Sequence, residues 1–150
     1  MSKNFGPDVR AEMERRRDLF YWFNLGQIFE MDDDDNQEFS TAIIYDFWNQ
    51  WPHSLQDMKT ACETRDLDSM KLTANAVHGS SSVLGAAKIE REMKRLKNLA
   101  DCRDEWGEQK IGEADALKKI EEILAVVEVE AKETMDIFGR YVSETDTDSV

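Results

Sequence analysis

The sequence predicts an all-α fold: an antiparallel four-helix bundle with an additional N-terminal helix. Three observations carry this. With two prolines and seven glycines in 150 residues, the chain has little material for the many tight turns of an all-β fold. Four long segments repeat apolar residues at steps of three and four, the period of one helix face, and no strand-like alternation competes. Their connections are short or polar, which makes consecutive helices antiparallel neighbours. A hydrophobic fraction of 41% over this length suffices for one core.

The first helix is expected in "PDVRAEMERRRDLFYWF", with Pro7 in its first turn and Asp8 and Glu12 near the positive end of the dipole. Its apolar end, Leu19 to Phe23, is expected to tuck onto the bundle. Gly26 is expected to interrupt the pattern before the short helical turn "QIFEM". The run "DDDDN", residues 32–36, reads as a solvated loop that caps the following helix. A metal site is the weaker reading, because no ordered series of ligand spacings follows it.

From Gln37 to about Thr64, Ile44, Phe47, Trp51, Leu55, Met58 and Cys62 mark one helix face. Pro52 lies inside it and is expected to bend it or loosen a turn. Asp66, in "RDLDS", is the expected cap of the next helix. That helix buries Leu67, Met70, Ala74, Val77, Ser81 and Leu84 and ends at Gly85. "AAKIEREMKRLKNLADC" repeats the pattern through Ile89, Met93, Leu96 and Ala100, and "DEWGEQKIGEAD" is a polar connection. The last helix is expected from about Asp115 to Tyr141, with Leu117, Ile120, Leu124, Val127, Ala131 and Phe138 inward. The acidic tail "SETDTDSV" is expected to be disordered. The domain reading is a helical extension over 1–25, a bundle over 26–142 and a tail over 143–150.

A net charge of −13 argues against nucleic acid or an anionic membrane as the main partner. Cys62 and Cys102 lack zinc-type spacing and read as reduced, with a structural disulfide as the lesser alternative. No apolar run approaches the ~20 residues of a membrane span, and "MSKNFGPDVRAEMERRR" lacks the apolar stretch of a secretory signal. A cytoplasmic or nuclear location and a monomer are expected. His53, after Pro52, reads as a surface residue.

The informative stretch is "NAVHGSSSVLGA", residues 75–86. At roughly 100° per residue, Asn75 and Gly79 stack one turn apart on the outer face, with Ser80 and Ser82 on that side and His78 on the border of the apolar stripe. An exposed mid-helix glycine costs ~1 kcal/mol relative to alanine. A harmless kink is one reading. The functional reading is close approach of a partner to the backbone beside Asn75, with the serine hydroxyls orienting a polar group.

This stretch resembles the histidine-containing phosphotransfer domain, whose motif is a histidine, two residues, a lysine, then glycine and serines. "NAVHGSSSVLG" matches it from Gly79 through Gly85. "QIFEMDDDDNQEFSTAIIYDFW" is similar to the fungal members, and "KIEREMKRLKNLA" and "ALKKIEEILAVVEVE" are similar in character. The resemblance covers roughly residues 26–104 and 113–141. It implies a protein that docks response-regulator receiver domains, with a hybrid histidine kinase as a further partner. In the family the histidine carries a phosphoryl group between receivers, the lysine offsets its charge and the glycine admits the receiver. The resemblance implies no resident cofactor, since magnesium sits on the receiver, and a docking surface more than an autonomous enzyme.

The sequence departs from the motif at the acceptor. Asn75 occupies the histidine position and His78 the lysine position. An amide nitrogen has its lone pair delocalised into the carbonyl and does not accept a phosphoryl group, although it still hydrogen-bonds. The leading reading is therefore a receiver-docking protein that cannot be phosphorylated. Alternatives are an active protein using His78 as a displaced acceptor, an engineered Asn75 in an active protein, and a helical adaptor unrelated to phosphorelays. Docking residues are expected at Ile28, Met31, Ile43 and Ala76, framing Asn75, Gly79 and Ser80, with Lys97 as a polar contact. Plain core packing is the competing reading for Ile28, Met31 and Ile43.

Overall fold

In the computed structural model, residues 5–33 and 36–148 are described, and every regular element among them is helical. The helices are α1 (Phe5–Arg15), α2 (Trp22–Glu30), α3 (Glu38–Glu63), α4 (Leu67–Leu84), α5 (Ala87–Ala100) and α6 (Glu113–Asp148). Helices α3 to α6 form a closed ring in which each packs on the next and α6 returns to α3. This is the expected four-helix bundle. Helix α1 lies on α6 and α2, while α2 lies against α3 and α4.

Of the predicted inward positions of α4, Met70, Ala74, Val77, Ser81 and Leu84 are buried and Leu67 is half-covered, while the six named on α6 are all buried. The apolar face of α3 is buried at Ile44, Phe47, Trp51 and Met58, whereas Leu55 and Cys62 are half-covered. Burial of this surface, at roughly 25 cal/mol per Å² of apolar area, is the main force holding the bundle. Helix α3 runs through Pro52. Asp66 caps α4 as expected, its carboxylate accepting from the Ser69 N–H at 3.1 Å. Asp32 accepts from the backbone N–H and hydroxyl of Ser40 at 2.8 and 2.7 Å. The Asn36 side-chain oxygen accepts from the Glu38 N–H at 3.0 Å. The acidic turn therefore does cap α3; Asp34 and Asp35 lie outside the described residues. Both cysteines are free thiols.

The N-terminal region differs from expectation. The single helix expected over 7–23 is two helices, α1 and α2, separated by residues 16–21. The reason is main-chain pairing. Tyr21 donates its N–H to the Gly85 carbonyl at 2.8 Å, and Ala87 donates to the Leu19 carbonyl at 2.9 Å. This extended stretch inserts Leu19 and Phe20 into the core, while Phe23 remains 80% exposed. Gly26 does not interrupt a helix. It is buried in α2, where a Cβ would stand 3.1 Å from the Trp22 indole nitrogen.

The domain boundaries need the same adjustment. Helix α2 runs across position 25/26, and α6 continues past residue 142 to Asp148, so residues 143–148 extend the last helix. Helix α1 is tied to α6 by Arg140, whose two terminal nitrogens each donate to a Glu12 carboxylate oxygen at 2.9 Å. Arg16 pairs with Glu133 at 2.9 Å. The Arg140 hydrogen bonds hold the Glu12 carboxyl below its usual range.

Between α5 and α6, Glu92 is 1% exposed and bonded to Arg95 at 2.8 Å, while Arg91 bridges Glu92 and Glu130 at 3.4 and 3.1 Å. Desolvation, reinforced by the Glu92 carboxyl beside it, pushes the Glu130 pKa up against the opposing pull of Arg91 and Lys88. A carboxyl whose pKa is higher in the folded state favours folding when protonated. That contribution is complete below the unfolded glutamate value near 4.5 and is lost as pH rises through the folded one. Glu130→Gln, which stays neutral, should unfold at a less pH-dependent denaturant midpoint than the parent chain from pH 4.5 upward. Paired urea titrations at several pH values measure this difference and cancel the other carboxylates.

Gly85 provides a sharper test. Its φ is +67°, and an added Cβ would stand 2.5 Å from the Tyr21 carbonyl oxygen. Gly85→Ala should cost about 2–3 kcal/mol, read as a lowered urea midpoint with unchanged slope.

Candidate functional site

Helix α4 presents Asn75, Ala76, Gly79, Ser80 and Val83 to solvent, while Ala74, Val77, Ser81 and Leu84 face the core. Both ends of the helix are fixed, by Asp66 at the start and by Gly85 in the left-handed conformation at the end. The exposed face is therefore held in one register against α3 and α5. Leu72, one turn before Ala76, is 73% exposed and extends this surface.

The two glycines of the run have opposite surroundings. At Gly85 the protein's own backbone occupies the place of a side chain. At Gly79 nothing lies within 4 Å of where a Cβ would stand, and φ is not in the left-handed region. No internal contact therefore requires a glycine at 79. What remains is the open approach to the backbone one turn from Asn75.

The serines do not act as the sequence suggests. Ser80 donates its hydroxyl to the Ala76 carbonyl at 3.2 Å, and buried Ser81 donates to the His78 carbonyl at 3.1 Å. Both hydroxyl protons are used within the helix, an arrangement open to any serine that finds a carbonyl one turn back. Ser80 thus offers a partner its oxygen as an acceptor. Ser82 is half-buried, and its carbonyl accepts from the Asn24 side chain at 3.1 Å.

His78 lies between α4 and α5, with its Nε2 atom 3.8 Å from a Glu90 carboxylate oxygen and its side chain 25% exposed. Burial, and then the charge of Lys97 with a smaller contribution from Lys94, hold the imidazole pKa below its usual value against the pull of Glu90. The ring is neutral at pH 7. Lys71, on the same helix as Asn75, pairs with Asp101 at 2.8 Å. Lys94 and Lys97 thus bring positive charge to the α4–α5 side, beside Glu90, in a chain of net charge −13.

On the other side of α4 a groove of about 460 Å³ runs along α3, lined by Ile43, Asp46, Trp51, Ala76, Ser80 and Val83 among others. Ile43 is half-buried, and Met31 is exposed at the end of α2. Ile28 is not a surface residue: at 7% exposed it belongs to the core, because the apolar face of α2 turns toward the bundle. Sequence reasoning missed Leu72 and Val83 on the outer surface, and Phe23, expected to tuck onto the bundle with a partner site as the lesser reading, is exposed. An isolated apolar residue outside the helical stripe is the only signal that marks Leu72 and Val83. His53 is exposed, as expected. Among the described residues no cluster of His, Cys, Asp and Glu could hold a metal ion, and no helix is long and apolar enough to cross a membrane.

Because nothing inside the molecule uses the space at Gly79, Gly79→Ala should stabilise the chain by about 0.5–1 kcal/mol. Chemical denaturation beside Gly85→Ala should show shifts of opposite sign.

No family model matches the chain. Over 102 residues it is 35% identical to "Multistep phosphorelay regulator 1" of Schizosaccharomyces pombe, an alignment that covers 67% of this chain. The same alignment covers 35% of that protein, so the chain spans about a third of its relative's length. By this identity, two-thirds of the chain is related to part of a fungal multistep phosphorelay regulator.

Proposed function

We propose that the chain is a phosphorelay protein of the histidine-phosphotransfer type that docks response-regulator receiver domains on α4 and the adjoining α2 and α3, and that Asn75 leaves it without a phosphoryl acceptor. One observation carries the docking reading: an exposed glycine in the middle of a helix, with no neighbour that needs it, one turn from the acceptor position. The relation to a multistep phosphorelay regulator supports the same class of partner. Met31, Phe23, Leu72 and Val83 supply exposed apolar contacts around it, and Ile43 and Ala76 line the groove beside it.

The chemistry at the face follows from the side chains. The Asn75 amide donates and accepts hydrogen bonds but has no basic lone pair to attack phosphorus. His78 does not take over, because its Nε2 atom points toward Glu90 in the α4–α5 seam and phosphoryl transfer is steep in distance. Its role is that of a polar neighbour which, with Lys97, meets the anionic centre of a receiver. Magnesium belongs to the receiver in this scheme, and the chain needs no cofactor of its own. A hybrid histidine kinase, through its receiver, is a second partner of the same kind. The protein acts as a monomer in the cytoplasm, the nucleus or both, and competes with phosphorylatable intermediates for receivers.

Calorimetric titration with receiver domains, free and carrying beryllofluoride as a phosphate mimic, should show binding that Gly79→Lys weakens at least about tenfold, by placing a long side chain where the partner approaches. Absence of receiver binding in both states ends this reading. Asn75→His should then gain acid-labile phosphoryl label from a phosphorylated receiver. The parent chain and His78→Ala should both remain unlabelled; label on the parent chain that vanishes in His78→Ala would instead establish the displaced acceptor.

A further inference from the structure

The 101–112 connection between α5 and α6 is a built hairpin, and it holds Trp106 in solvent at 74% exposure. Its arms pair at Arg103 and Lys110. Asp104 donates its N–H to the Gln109 carbonyl at 2.8 Å, and Ile111 donates to the Cys102 carbonyl at 2.9 Å. The Asp104 carboxylate accepts the N–H groups of Trp106, Glu108 and Gln109 at 3.2, 2.8 and 3.2 Å. Asn98 donates to the Glu105 carbonyl at 2.9 Å, and its side-chain oxygen lies 3.1 Å from where a Cβ on Gly107 would stand, at φ +75°. The Glu105 carboxylate is fixed by Arg95, with Lys119 at 3.8 Å. A loop braced in this way does not collapse to bury its tip.

The tip is apolar and its surroundings are acidic. Residues 101–115 contain Asp101, Asp104, Glu105, Glu108, Glu113 and Asp115 against Arg103 and Lys110, six negative and two positive charges, or −4. Asp101 is matched by Lys71 and Glu105 by Arg95. Glu108 is exposed and pairs with no cation among the described residues. An exposed indole two residues from an exposed carboxylate on the same braced tip is chemically complementary to a guanidinium or ammonium group, which stacks on such a ring and pairs with such an acid.

We propose that this hairpin is a second docking element, which receives an arginine- or lysine-bearing segment of a protein partner on Trp106 and Glu108. Trp106 and Glu108 are not among the residues of the face around Asn75, although Lys71 on α4 reaches the root of the connection through Asp101 at 2.8 Å.

The test uses the full chain and an amidated peptide of four arginine-glycine repeats, at low salt and near physiological salt. Binding should shift amide resonances of residues 101–112, and a peptide with glutamine for arginine should not bind. Trp106→Ala should weaken binding roughly five-fold or more, Trp106→Phe should fall between, and Glu108→Gln should weaken it less. Trp106 is exposed, so these variants should keep the parent's unfolding midpoint. Equal affinity across the Trp106 series, or shifts spread over the whole acidic surface, would overturn the proposal.

Discussion

The turn at Gly85 organises this molecule. A left-handed residue there reverses the chain between α4 and α5 and aligns its own carbonyl with the Tyr21 N–H. The reciprocal bond from Ala87 to Leu19 completes a short antiparallel pairing in the interior, where unpaired backbone groups would be costly. The segment that leads into α2 is placed by it. Leu19 and Phe20 enter the core, with the Phe20 ring 5.4 Å from Phe138, and Asn24 reaches the Ser82 carbonyl. Helix α2 is thereby held beside α4, with Met31 and Phe23 left on its solvent side. The N-terminal segment is part of the architecture that frames the site, not an appendage to it.

Much of this was legible in the sequence because helices advertise their buried faces. The stripes of α4, α5 and α6 follow a period of 3.6 residues at every named position but Leu67, which is half-covered at the start of α4, and Asp66 and Gly85 bound α4 by local chemistry alone. The break between α1 and α2 was not legible. "RRRDLFYWF" has ordinary helical propensity, and only a distant strand-like partner at residues 85–87 draws Phe20 and Tyr21 out of the turn at 16–19 into a bridge. Gly26 and Ile28 were misread for a related reason: the neighbours that explain them, Trp22 and the bundle interior, are set by tertiary packing. At the site, exposure of Asn75 and Gly79 was readable from angle alone. The inward turn of the Ser80 and Ser81 hydroxyls was not, since a sequence does not say which carbonyl a hydroxyl will find.

The site's electrostatics run against the chain as a whole. A net charge of −13 repels anions at long range, yet the α4–α5 seam holds lysines close enough to His78 to depress its pKa. Burial is the first cause of that depression, and the lysines are the second.

One buried link has a consequence for how the chain is made. The Ser40 hydroxyl lies 2.6 Å from the Tyr141 phenol oxygen and bonds to Asp32, so a contact spanning 101 positions closes the bundle around the acidic turn. Helices α3, α4 and α5 can assemble as they emerge during synthesis, since their contacts are between neighbours in sequence. The side of α3 that faces α6 is not covered until α6 is made, Phe47 included, since its ring packs on Phe138. Until then the protein carries an open hydrophobic trough, and it is in that nascent state that chaperones have most to recognise.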